Sequence, residues 1–176
     1  MFIQCSTYLE ESMAVTFNDL KSKNKELTDR LWELREKLQN EAARLASEYS
    51  DSLSLPGDMW KNSRGENTPY VQIGTMSDEG KFTPEHTARL RLDDKYLLRF
   101  TLSTVLDDTP LTGGQLYCVS IALWHDGVWL NASVGLGDGE STFRVSEKPG
   151  GFDDVCAAIK SLICKTLDEA MPLWKS

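Results

Sequence analysis

The chain has 176 residues, 40% of them hydrophobic and 26% charged, with 19 Lys and Arg against 27 Asp and Glu and a net charge of -8. This length supports one domain with its own core, or one domain plus an appendage, and the composition is globular rather than disordered. An acidic balance spread along the chain excludes general nucleic-acid binding by phosphate neutralisation, and no run approaches the ~20 apolar residues of a membrane-spanning helix.

Residues 1–16 read as a leader. MFIQCSTYLEES holds two acids and no Lys or Arg, unlike a signal or transit peptide, so the expected compartment is the cytoplasm. Met13 is a second candidate start.

Residues 17–50 form the next segment, and 17–49 read as one long helix. Phe17, Leu20, Leu27, Leu31, Leu34, Leu38 and Leu45 recur at threes, fours and sevens, Glu26–Arg30 and Glu33–Lys37 make i,i+4 pairs, and no Gly or Pro interrupts. Such a helix spans about 45–50 Å, more than a small core covers. With Leu31 at a and Leu34 at d of a heptad, Asn24 also falls at a, where a single buried Asn sets coiled-coil register. Leu20, Asn24, Leu27, Leu31, Leu34 and Leu38 are therefore the expected self-association seam of a homodimer. The stripe slips at Glu41 and resumes at Ala42, Leu45 and Tyr49. The competing expectation is an amphipathic helix lying on the protein's own sheet. Trp32 sits beside the stripe and marks a second contact face.

Residues 51–69, with two Pro and two Gly, read as a connector, long enough to be mobile or functional. Residues 70–176 read as an antiparallel sheet plus a C-terminal helix. Apolar runs at 71–73, 88–92, 96–106, 116–124, 128–134 and 142–145 predict five or six strands, mostly a meander. Asp126–Gly127 predicts a type I′ turn that pairs Trp124 with Trp129 and Leu123 with Leu130. A three-residue loop at Asp93–Asp94 would pair Leu92 with Tyr96 and put Arg89, Arg91 and Arg99 on one face. Residues 152–171 carry the broad apolar stripe of the closing helix, which Pro172 ends. The expected class is α+β: a long N-terminal amphipathic helix, a five- to six-stranded antiparallel meander sheet and a C-terminal helix on one sheet face.

Catalytic chemistry has little to stand on. Cys156 and Cys164 lie eight residues apart on a helix, about 12 Å, too far for a disulfide, and there is no C-x-x-C. Cys118, His125 and Asp126 share a hairpin, but strand alternation points Cys118 and His125 to opposite faces. His86 has no second ligand at helical or hairpin spacing. The loop Gly135–Ser141 lacks the Lys and following helix of a phosphate cradle. The paired acids at 93–94, 107–108 and 153–154 fall at turns or a helix start. No catalytic residue, metal ligand or cofactor is predicted.

Trp124 and Trp129 are expected to stack on the more polar sheet face near Arg89, Arg91 and Arg99. Aromatics with arginines compose the energetic centres of protein interfaces. The expected function is a non-enzymatic, cytoplasmic interaction module, chaperone-, immunity- or inhibitor-like. It would self-associate through the long helix and bind a protein partner through Trp124, Trp129, Arg89, Arg91 and Arg99 or through Trp32; membrane and nucleic acid are not expected partners. The alternative is a small-ligand binder or enzyme whose pocket lies between the sheet and the 51–69 connector, lined by Met59, Trp60, Trp124, Trp129 and His125.

Overall fold

The computed structural model describes residues 14–174; the leader before Ala14 lies outside the described residues. Helix α1 runs Phe17–Ser52. Its start is a reciprocal cap: the Asp19 carboxylate accepts from the Thr16 amide at 2.8 Å and hydroxyl at 2.7 Å, and the Asp19 amide donates to the Thr16 hydroxyl at 3.3 Å. Those bonds hold the Asp19 carboxyl below its usual range. The chain divides into two compact units at Leu34/Arg35, within α1. In the first, every residue from 14 to 30 is exposed. In the second, Leu38, Ala42, Leu45 and Tyr49 are fully buried.

The connector is an ordered hairpin rather than a mobile link. Strands β1 (Met59–Lys61) and β2 (Asn67–Pro69) pair antiparallel, and Trp60 packs with Leu55, Tyr70 and Val105. The main sheet follows: β3 (Val71–Met76), β4 (Phe82–Pro84), β5 (Leu98–Val105), β6 (Leu116–Asp126), β7 (Trp129–Val134) and β8 (Ser141–Val145), then α2 (Asp153–Ala170). Its order is β4-β3-β5-β6-β7-β8, antiparallel throughout. The α+β architecture is therefore the expected one, with two local corrections.

The first concerns residues 88–92, which are not a strand. Residues 87–89 form a 3-10 turn capped by the His86 ring, and only Leu92 bridges to Leu98. The reason lies in α1. Arg35 and Gln39 both donate to the carbonyls of Ala88 and Leu90, at 2.9 to 3.2 Å, so these acceptors serve the helix rather than a neighbouring strand. The sixth strand comes from Phe82–Pro84, a short edge where Pro84 is tolerated.

The second concerns the β6–β7 turn. Its central residues are Gly127 and Val128, so Asp126 pairs with Trp129, Trp124 with Asn131 and Leu123 with Ala132. Only Gly127 has positive φ (59°), which suits a type II′ turn with Gly first rather than type I′. Each β6 residue thus meets a partner two places on from the expected one. A shift of two preserves faces, so the expected core list survives the wrong turn.

One sheet face is the core. Leu98, Leu102, Val119, Ile121, Leu123, Leu130, Ala132 and Val134 lie on it, with Val155, Cys156, Ile159 and Ile163 of α2 and the second half of α1 completing the buried set. The Tyr49 hydroxyl meets the Thr104 hydroxyl at 3.0 Å, so this buried polar pair is satisfied. Cys156 is 3% exposed, and burial pushes its thiol up to about 11. Arg44 of α1 holds the segment leading into α2: it donates to Glu41, Glu48 and the carbonyls of Ser146 and Lys148, and stacks 4.4 Å over the Phe152 ring. Glu48 in turn accepts from the amides of Gly150 and Phe152, placing a carboxylate at the start of α2, where the helix dipole favours it.

Candidate interaction surfaces

The first half of α1 carries one surface. Phe17, Leu20 and Leu27 are 76%, 60% and 51% exposed, Asn24 is exposed, and Leu31 and Leu34 are half-buried. Leu38 is fully buried among the protein's own side chains and so leaves the expected seam. The switch from exposed to buried runs from Leu31 to Leu38, before the four-residue step that carries the stripe on to Ala42, Leu45 and Tyr49, which are buried as well. Trp32 is 62% exposed at a heptad b position, off the seam.

The second surface is the sheet face opposite the core. Strand pairing places on it Trp124, Ala122, Ser120 and Cys118 of β6, Asn131 and Ser133 of β7, Arg144 and Thr142 of β8, and Arg99, Thr101 and Ser103 of β5. Trp124 and Trp129 share this face but lie diagonally, and the 49%-exposed Trp129 ring is covered by the Arg144 guanidinium at 4.4 Å. This cation–π contact contributes about 0.5–1 kcal/mol at an exposed site. Arg144 is the residue that sequence reading missed; continuing the alternation from β7 into TFRV would have set it opposite Asn131. Of the three expected arginines only Arg99 belongs here, with its Nε 2.7 Å from Asp93. Arg89 sits in the 3-10 turn beside Glu85 at 3.6 Å, and Arg91 lies in the irregular segment that follows, so the three share no face.

Small residues make the middle of that face a trough of about 250 Å³, bounded by Met76, Arg99 and Leu136 and floored by Thr101, Ser120 and Ser133. Thr101 and Ser133 are 5% and 3% exposed, and with Ser120 they place three hydroxyl-bearing side chains on the trough lining.

The expected pocket against the connector does not form. Trp60 joins the β5 end at Val105, which pairs with Leu116, whereas Trp124 lies eight residues along β6, about 27 Å away at ~3.4 Å per residue. His125 faces the core side, opposite Trp124. Its Nε2 is buried with no partner. Burial, then the Lys37 charge, lowers its basicity below the ordinary 6.5, while Glu147 and Glu41 pull the other way. A base whose folded pKa is depressed contributes stability present above its unfolded pKa, lost as pH falls through the folded one. The wild-type Tm is thus expected to fall more between pH 7 and pH 5 than that of His125→Leu. Parallel pH–Tm curves for the two proteins would refute the assignment.

Among the described residues no group of three or more His, Cys, Asp or Glu could hold a metal, and no helix is long and apolar enough to cross a membrane. What the fold and surfaces define is a class only: an α+β protein with an exposed heptad helix segment and an open, tryptophan-bearing sheet face. Comparison with protein families, curated proteins and solved structures finds no match for the chain.

Proposed function

We propose that the protein is a non-enzymatic interaction module whose principal contact element is the first half of α1, pairing with another amphipathic helix. The observation that carries this is the run 14–30, helical from Phe17 and exposed at every residue while it keeps Phe17, Leu20 and Leu27 in a/d spacing. Isolated helices of this length are marginal in water, and three exposed ion pairs (Lys23–Glu26, Lys25–Asp29 and Arg30–Glu26) add little to them. A helix that keeps a row of large apolar side chains in water is explained by a partner that covers them. The pair Leu20→Glu plus Leu27→Glu is expected to leave the unfolding transition in place and abolish helix pairing, read by sedimentation velocity and peptide binding. Pairing that survives this variant would overturn the reading.

A second reading has its own observation. Thr101, Ser120, Ser133 and Arg99 line the trough of the open face together and suit a small polar ligand. A thermal-shift screen in which a metabolite raises the Tm, and Ser133→Val abolishes the shift, supports it.

A further inference from the structure

We infer that the helix received by α1 belongs to a different protein and carries Asp and Glu along the edges of its apolar seam, rather than being a second copy of this chain. The inference rests on the interaction reading above and names its partner. Heptad positions e and g flank the a/d seam and set partner choice by charge. With Phe17, Asn24 and Leu31 at a and Leu20, Leu27 and Leu34 at d, the flanks over 17–34 are Lys21, Lys23, Thr28 and Arg30. Three are cations and none is an acid. The segment is not basic overall, since Asp19, Glu26, Asp29 and Glu33 balance Lys21, Lys23, Lys25 and Arg30. The acids all fall at c and f, on the outer side. Charge is therefore sorted by face.

Intrahelical pairing leaves the flanks cationic. Lys23 and Arg30 share one carboxylate, Glu26, at 3.4 and 2.8 Å, Lys25 at b takes Asp29 at 2.7 Å, and no ion pair among the described residues involves Lys21. A second copy would meet repulsion or indifference. In a parallel pair Lys23 faces Thr28, and Arg30 would face position 35, whose guanidinium already serves the Ala88 and Leu90 carbonyls; in an antiparallel pair the g rows bring Lys23 and Arg30 together, cation against cation, while the e rows hold Lys21 and Thr28. A helix with Glu or Asp at e and g meets attraction in either direction, and its discrimination against a self-pair is built in by repulsion. Asn24, at a, further asks for a polar residue opposite it, since an unpaired buried amide is costly.

The test uses the full chain and two synthetic heptad peptides with identical a/d residues and an Asn opposite Asn24, one with Glu at every e and g position, the other with Lys. Each probe's own flanks repel, so each stays monomeric. Fluorescence anisotropy at low salt is expected to show the Glu peptide binding at least about tenfold tighter than the Lys peptide, the gap narrowing as salt screens the flanks. Lys23→Glu plus Arg30→Glu, with its unfolding transition recorded beside that of the wild type, is expected to reverse the preference. Equal binding of both peptides, or a preference for Lys, overturns the inference while helix pairing stands. So does a chain that dimerises with rising concentration, loses the dimer with Leu20→Glu plus Leu27→Glu, and excludes the Glu peptide. If neither peptide binds and the chain stays monomeric, the interaction reading itself fails and takes this inference with it.

Discussion

Arg44→Ala is expected to lower the unfolding free energy by about 3 kcal/mol and the Tm by roughly 6–12 °C, the scale for losing one partner of a part-buried charge network in a chain of this size. The side chain is 22% exposed, and its guanidinium serves five acceptors or faces together: Glu41, Glu48, the carbonyls of Ser146 and Lys148, and the Phe152 ring. Alanine leaves two half-buried carboxylates and two carbonyls without their donor. It also frees the 146–151 segment, where the amide of Gly151 bonds the same Lys148 carbonyl at 3.0 Å and a Cβ on Gly151 would clash with the Ser146 carbonyl oxygen. Arg44→Lys is expected to recover little, because an ammonium cannot fork between a carboxylate and two carbonyls or stack flat on Phe152. Thermal unfolding by circular dichroism checks both variants; a loss under about 2 °C for the alanine variant would show that the network is dispensable.

The two halves of α1 are expected to respond oppositely to the same truncation. Leu45→Ala removes a fully buried side chain and is expected to cost about 3 kcal/mol in urea denaturation, within the range for Leu→Ala in packed cores. Leu27→Ala, at a 51%-exposed position, is expected to cost under about 0.5 kcal/mol at low protein concentration. Both residues belong to one hydrophobic pattern, so the contrast measures the division between a part that holds the fold, from Leu38 on, and a part available to another helix. Similar losses at both sites would mean that the first half is covered by the protein's own copies or core, and the interaction surface would have to be sought on the sheet.

Helix bounds and strand faces were legible because they depend on local spacing. The 3.6-residue and two-residue periods are properties of the backbone, and they placed α1 to within three residues of its end, α2 to within one at each end, and the core residues of β6 and β7 on the correct side. The cation-flanked seam is also wholly a matter of sequence, since e and g positions follow from the frame. Tertiary structure decided what local spacing cannot encode. ARLRL alternates like a strand, but Arg35 and Gln39, roughly fifty residues earlier, claim its carbonyls and turn it. Which part of the leucine row is buried is not encoded in its spacing: Leu38 lies inside and Leu27 in water. Trp129 found Arg144 instead of Trp124 because Gly127, the residue able to take positive φ, moved the turn one place along the chain. Periodicity settled which side of its own element each residue faces, while long-range hydrogen bonds and tertiary packing settled what it meets there.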